Sequence, residues 1–357
     1  MSANTKFWRY VPSFAASSVG MIQAPQDHRD GYRSLIHTAM NAEYAGFFDI
    51  GMVQRNEANA IVTHGTMCLI RREALEAAGG WSSDTICEDT DLGLTILELG
   101  WCAHYTNRRY GWGLLPQDFQ AFRTQRSRWT SGAVQILKKH WRRFLPGASV
   151  LSSDQKREFA FGWLTWFGAE CIAVAAAMLN LLFVPFVAFD VVALPDGVLT
   201  LPIVAAFLVS LTHFGFAYRL RVAVPFWHML AAMLVFMSLQ WTVASAAAKA
   251  AFSSTEGYFR RTPKGASGSR HHRPLPLTEA VLGGLLLASA IVLFAINIYR
   301  VLEVDIFAAI LVMQSLPFLA AMALAVFEGT RANSFDYWRG IESGSGATRR
   351  AGRGLLR

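Results

Sequence analysis

Two regimes of hydrophobic patterning divide the chain. Up to about residue 162 short apolar runs alternate with polar clusters, and from Trp163 onward the apolar positions fuse into long stretches. In the first regime, residues 18–25 (SVGMIQAP) and 61–70 (IVTHGTMCLI) have the character of short buried strands, the second interrupted by Gly65. Residues 73–78 read as a helix ended by Gly79 and Gly80, and residues 89–99 place Leu92, Ile96 and Leu99 at helical spacing before Gly100. Asp118 suits the N-cap of another helix, in which Phe119, Phe122, Arg126, Trp129 and Ala133 follow one face. This order of elements predicts a mixed α/β unit over residues 1–150.

The second regime holds five apolar stretches, at 163–189, 201–218, 226–248, 280–299 and 306–327. Each approaches the ~20 residues that a helix needs to cross a bilayer. Were all five to cross with the first part inside, the basic segment 260–273 would fall outside, against the positive-inside rule. Withdrawing 226–248 puts Arg219, Arg221, the 260–273 cluster and the tail inside together. Four spans therefore fit. The withdrawn stretch is broken by Trp227, His228, Gln240, Trp241, Thr242, Ser245 and Lys249, which suits a helix lying in the membrane interface. An α-helical transmembrane bundle is thus expected over 151–330, with a basic cytoplasmic tail at 331–357. Glu170, inside the first span, reads either as interfacial or as lining a polar path through the bundle. Trp163, Trp166 and Trp241 read as interface anchors or as flat aromatic platforms.

Composition agrees with a membrane chain. Of 357 residues, 53% are apolar and only 16% charged, against about 25% charged in ordinary soluble domains. A disordered, collagen-like or disulfide-stapled chain is excluded. The net charge of +8 first admits nucleic acid, anionic lipid or an anionic substrate, but position decides. The excess lies in Arg260, Arg261, Lys264, Arg270, Arg273, Arg349, Arg350, Arg353 and Arg357, flanking apolar segments, so no nucleic-acid partner is expected. Cys68, Cys87, Cys102 and Cys171 have no zinc-like spacing, which predicts reduced thiols and no cysteine metal site. The opening MSANTKFWRY lacks an apolar core, so no cleavable signal peptide is expected.

Two polar constellations stand out. Cys87-Glu88-Asp89-Thr90-Asp91 packs three carboxylates at the start of a helix, where they serve either the macrodipole or chemistry. Gln125-Arg126-Ser127-Arg128-Trp129 sets Gln125 with Arg128, and Arg126 with Trp129, on shared helical faces. Alone it reads as an amphipathic helix near lipid headgroups. In this order, with membrane spans following, the two resemble motifs of the processive, inverting family 2 glycosyltransferases of the cellulose synthase type. The family's Thr-Glu-Asp corresponds to Cys87-Glu88-Asp89, and its Gln-x-x-Arg-Trp to Gln125, Arg128 and Trp129. Its gating loop resembles Phe259-Arg260-Arg261-Thr262-Pro263-Lys264, within about residues 256–268. Residues 64–81 resemble its acceptor-side strand and following helix, and residues 24–30 and 41–57 are similar to bacterial β-glucan synthases in particular. The resemblance runs from about residue 19 to 327.

The resemblance implies a partial, GT-A-like nucleotide-sugar transferase domain ahead of the bundle, cytoplasmic at the bacterial inner membrane. It implies transfer of glucose from UDP-glucose to a growing β-glucan. Asp89 would be the general base, with Glu88 or Asp91 as its orienter or cap. Trp129, His64 and Gly65 would hold the acceptor, and Gln125, Arg128, Thr262 and Lys264 the diphosphate. Magnesium or manganese is expected for the family, held by an Asp-x-Asp pair, yet none occurs upstream of Gln23. Asp89-Thr90-Asp91 has those letters but stands in the base position. A donor-binding half needs on the order of 100 residues, so the chain is expected to be the C-terminal part of a synthase, partnered by a separate N-terminal half or a full-length synthase. Cys87 for Thr is a mild departure, whereas Arg261 for Val leaves the loop's fit open. The rival classes are a non-catalytic remnant or accessory subunit of a complete synthase, and a transporter or channel, which leaves the motif order unexplained.

Overall fold

The computed structural model describes residues 16–253, 263–264, 274–330 and 333–334. Phe259, Arg260, Arg261 and Thr262 of the expected gating loop, and the basic tail beyond residue 334, lie outside the described residues. The chain opens with β1 (Val19–Gln23) and β2 (Asp27–His28), then α1 (Leu35–Gly46), which runs through a π-helical turn at Phe47–Met52 into α2 (Val53–Glu57). Next come β3 (Cys68–Ile70), α3 (Arg72–Ala77), α4 (Glu88–Glu98), β4 (Cys102–Tyr105), β5 (Trp112–Gly113) and the long α5 (Phe119–His140). A short α6 (Ser153–Arg157) and a second π-helical turn at Glu158–Trp163 lead into α7 (Thr165–Ala188) and α8 (Gly197–Ala217). A third, at Tyr218–Val222, precedes α9 (Phe226–Met237), α10 (Gln240–Phe252), α11 (Leu277–Ile296) and α12 (Leu302–Glu328).

The sheet has the order β3-β1-β4, with β1 antiparallel to β3 and parallel to β4. Its central strand is apolar because it is covered on both faces, and Met21 and Ile22 are fully buried. The expected strand at 61–70 is realised only at its end, as β3. The cause is Gln23, whose side chain accepts from the His64 amide (3.0 Å) and donates to the carbonyls of Thr66 (2.9 Å) and Met67 (3.2 Å). That carboxamide satisfies the backbone that a longer ladder would otherwise pair. The helix ends match their local signals. Asp118 accepts from the Ala121 amide at 2.7 Å as N-cap of α5, and Gly100, at φ +86, ends α4.

Among the described residues five helices are long and apolar enough to cross a membrane: 153–188, 200–222, 226–252, 277–296 and 302–328. The chain is a multi-pass membrane protein. On α8 Leu201, Ile203, Leu208, Val209 and Phe216 are exposed, as a surface bathed in lipid tails requires. The stretch 226–252 differs. It breaks at Ser238 and Leu239 between α9 and α10, and half of its apolar window is buried. Its α9 packs on α1, and α10 packs on α5 and α7. Trp163, a candidate interface anchor, is instead buried against Phe159 in the core of the α/β part.

Helices α4 and α5 are locked together by buried charge. His140, at the end of α5, bonds Asp91 through Nε2 (2.8 Å) and Glu98 through Nδ1 (3.0 Å), while Lys139 donates to Asp91 at 2.8 Å. A cleft of about 230 Å³ opens beside these groups. Burial opposes the charge on His140, but its bonds to Asp91 and Glu98 prevail and raise its pKa to about 9. A histidine whose folded pKa is raised contributes its full stabilisation below its unfolded pKa of about 6.5 and loses it as pH rises through the folded value. Thermal stability in detergent should therefore fall between about pH 6.5 and 9.5, by on the order of 3 kcal/mol. In His140→Gln the chain should be weaker at pH 6 and lack that alkaline step; a step of unchanged size in the variant would refute the brace.

Candidate functional site

The site forms where the first turn of α4 meets the middle of α5 and the loop before β3. Cys87 sits against Gly132 of α5, where any Cβ would run into its sulfur, and the Ile86 amide donates to the Gln135 side chain at 2.9 Å. These contacts fix the start of α4. Asp89 then turns outward, half-exposed, and its Oδ2 accepts from the Gly65 amide at 2.5 Å while Oδ1 accepts from the Thr90 amide at 2.8 Å. A side chain at Gly65 would press on Asp89 Oδ2, at 3.1 Å. Glu88 is exposed beside it. Asp91 points the other way, into the His140 brace, with only 1% of its surface exposed. The two aspartates of Asp89-Thr90-Asp91 therefore serve opposite sides of the helix.

Helix α5 supplies the facing wall. Gln125 and Arg126 are buried, whereas Arg128 and Trp129 are half-exposed. The Arg126 guanidinium pairs with Glu43 of α1 and lies 4.5 Å from the ring centre of Trp129, 4.6 Å from Tyr44 and 4.7 Å from Phe122. Trp129 is thereby backed on one side by a cation and flanked edge-on by Tyr44 (6.0 Å, 85°) and His64 (6.5 Å, 75°). Burial first, and then the nearby charges of Arg126 and Arg55, depress the His64 pKa to about 4, so its imidazole is neutral at physiological pH. The charge of Arg128 reaches both the Cys87 thiol and the Tyr44 phenol, which places it between the two motifs. Burial pushes the Cys87 thiol up to about 12, so it is no nucleophile.

Of the residues expected at the site, the structure brings together Asp89, Glu88, Gly65, His64, Trp129, Arg128 and Gln125. Thr262 lies outside the described residues. Lys264 forms an antiparallel bridge with Pro116, the Gln117 amide donates to the Pro263 carbonyl at 3.1 Å, and the lysine's charge reaches His28. It is thus seated on the turn just ahead of Asp118, at the N-terminal end of α5. Sequence reasoning missed Glu43 and Tyr44. The signal for Glu43 was a carboxylate among the buried positions of α1, which demands a buried cation.

A family model for glycosyl transferase family group 2 matches residues 6–253, a span that takes in both constellations and their shared site. The chain belongs to that family. Among curated relatives, probable glucomannan 4-beta-mannosyltransferase 15 of Arabidopsis thaliana is 38% identical over 76 residues, covering 21% of this chain and 14% of the relative. The corresponding figure for probable glucomannan 4-beta-mannosyltransferase 1 of that plant is 40% over 76 residues, with the same coverage of each chain. For probable glucomannan 4-beta-mannosyltransferase 6 of Oryza sativa subsp. japonica it is 33% over 87 residues, covering 24% of this chain and 15% of the relative. The matched stretch thus spans about a seventh of the length of these relatives.

The divalent cation expected for such a family finds no fitting set here. Among the described residues no three His, Cys, Asp or Glu side chains cluster as ligands, and Asp89 and Asp91 diverge. No step is therefore assigned to a metal held by these residues. The joint between the two motifs rests on Gly132. Gly132→Ala should force Cys87 away and destabilise the chain by about 1–3 kcal/mol in thermal unfolding. Cys87→Ala removes the sulfur but leaves its Cβ 2.9 Å from the new methyl, so adding it should recover part of that loss, and no recovery at all would show that the sulfur is not what the glycine accommodates.

Proposed function

We propose that the chain is a membrane-embedded, inverting glycosyltransferase that extends a β-glucan from UDP-glucose, with Asp89 as its general base. The observation that carries this reading is the convergence of one fixed carboxylate, Asp89 on Gly65, with the Trp129 ring and the Arg128 cation. In a single displacement the acceptor oxygen bonds to the anomeric carbon as the bond to the diphosphate breaks on the opposite face. Asp89 takes the acceptor proton, so one carboxylate suffices and no covalent sugar intermediate is needed. Trp129 supplies a flat apolar face under the acceptor ring, beside the neutral His64. Arg128 and the Gln125 amide stabilise the charge gathering on the leaving diphosphate, joined by Thr262 and Lys264 from the gating segment.

Donor recognition, with its magnesium or manganese ion, would draw on elements that the family resemblance places ahead of residue 19, in this polypeptide or a partner. A second reading, an accessory subunit of a complete synthase, is favoured by the divergence of Asp89 and Asp91. In either case the proposed arrangement is four crossing helices, α7, α8, α11 and α12, in a bacterial inner membrane. The α9–α10 pair then lies along the cytoplasmic surface. Its support is the break at Ser238 and the burial of α10 on α5.

Membranes containing the chain should incorporate label from UDP-glucose into alkali-insoluble glucan. Nucleotide-activated mannose serves as the competing donor, since the plant relatives are named mannosyltransferases. Asp89→Asn should cut turnover about 10²–10⁴-fold, the usual worth of general base catalysis, with insertion and yield unchanged. Retained turnover in that variant would remove Asp89 from the role, and preference for mannose would replace the proposed donor.

A further inference from the structure

The residue that touches most of the α5 motif belongs to neither constellation. Tyr44 of α1 is 3% exposed, and its hydroxyl donates to Gln125 Oε1. Its ring packs edge-on against Trp129 and Phe122, tilts against His28 at 4.8 Å, and faces the Arg126 guanidinium. Burial raises the Tyr44 pKa well above the ordinary phenol value, so the hydroxyl keeps its proton and has to place it on an acceptor. A side-chain amide offers one acceptor end and one donor end. With the oxygen of Gln125 taken by the phenol, its nitrogen is left as a donor. Gln125 and Arg128 stand three residues apart on α5 and so share a face of that helix.

We propose that Tyr44 is a positioning residue that sets the orientation of the Gln125 amide, committing its nitrogen to the diphosphate of a nucleoside diphosphate. Tyr44 itself touches no substrate. The ring of Tyr44 is also held on several sides by Phe122, Trp129, His28 and Arg126, so the hydroxyl has little freedom to leave its acceptor. Removing the hydroxyl alone frees the amide to turn its oxygen toward the phosphate oxygens, where it repels instead of donating.

This proposal rests on the reading of Gln125 and Arg128 as a diphosphate site, and the test separates the two. UDP binding to the purified full chain in lipid nanodiscs is followed by saturation-transfer NMR, which tolerates millimolar affinities. Wild type should show transfer to UDP. Tyr44→Phe should bind about fivefold more weakly, the scale of one neutral hydrogen bond, with an unchanged melting temperature. Gln125→Ala should weaken binding similarly, and Tyr44→Phe should cost nothing further in the Gln125→Ala background. A role in packing alone would leave the Tyr44→Phe penalty undiminished in that background, and this result would overturn the proposal. So would wild-type affinity in Tyr44→Phe. Gln125→Glu keeps an acceptor for Tyr44 while removing the donor, so it should lose UDP binding yet stay folded; unaltered binding there refutes the orientation independently. A wild-type chain without transfer to UDP overturns the diphosphate reading, and the proposal with it.

Discussion

The buried pair between Arg126 and Glu43 is the constraint on which the site depends. Both groups lie in the seam between α1 and α5, with 4% and 9% of their surfaces exposed. Breaking such a pair strands a charge without solvent and costs about 3–5 kcal/mol. Arginine suits this position better than lysine because its plane pairs with a carboxylate at its edge while its faces stack on aromatic rings. Here the rings are Tyr44, Phe122 and Trp129, and two of them belong to the site or orient it. The pair therefore does more than join two helices. It fixes the Trp129 side of the site.

The same helix carries the connections to the apolar part. One turn before its buried cation, Arg123 pairs with Glu279 at the start of α11 and donates to Thr242 of α10 at 3.0 Å. At the helix start, the Phe119 amide donates to Glu328, the last residue of α12, at 3.0 Å. From the other side, Tyr218 beyond α8 reaches the Ala42 carbonyl at 3.3 Å, over Gly46, where any Cβ would strike its ring. Arg55 reaches the Gly162 carbonyl in the π-helical turn that leads into α7. Each of these bonds is made by a polar group at or near the end of an apolar helix, the one place where such a helix can present charge cheaply.

What the sequence disclosed follows from how local each cause is. The caps at Asp118 and Gly100 are made by neighbours in the chain, so pattern alone revealed them. The roles proposed for Asp89 and Trp129 rest on the resemblance, since a carboxylate at a helix start and a tryptophan on an amphipathic face have commonplace structural explanations. The fate of Asp91 was not legible. Which carboxylate faces the site depends on the rotation of α4 about its axis, and that rotation is set by His140 and Lys139 at the far end of α5. The replacement of a longer strand by the bonds of Gln23 also arises from partners distant in sequence. Tyr44 was hidden for a different reason: a tyrosine on a helix reads as core, and only its hydroxyl partner distinguishes it.

These attachments make α5 a rigid beam with the site in its middle. Phe119 and Arg123 fix its first half to the apolar helices, Gln125 through Trp129 lie immediately beyond, and His140 ties its end to the helix that bears Asp89. A helix of 22 residues held at start, middle and end cannot tilt without breaking buried polar bonds. Positions read from side chains on such an element are set more tightly than positions read from loops. Asp89, the proposed base, approaches from α4 across the Cys87 and Gly132 joint, and Trp129 stands on α5. The distance between Asp89 and Trp129 is accordingly governed by helix packing, which is stiff.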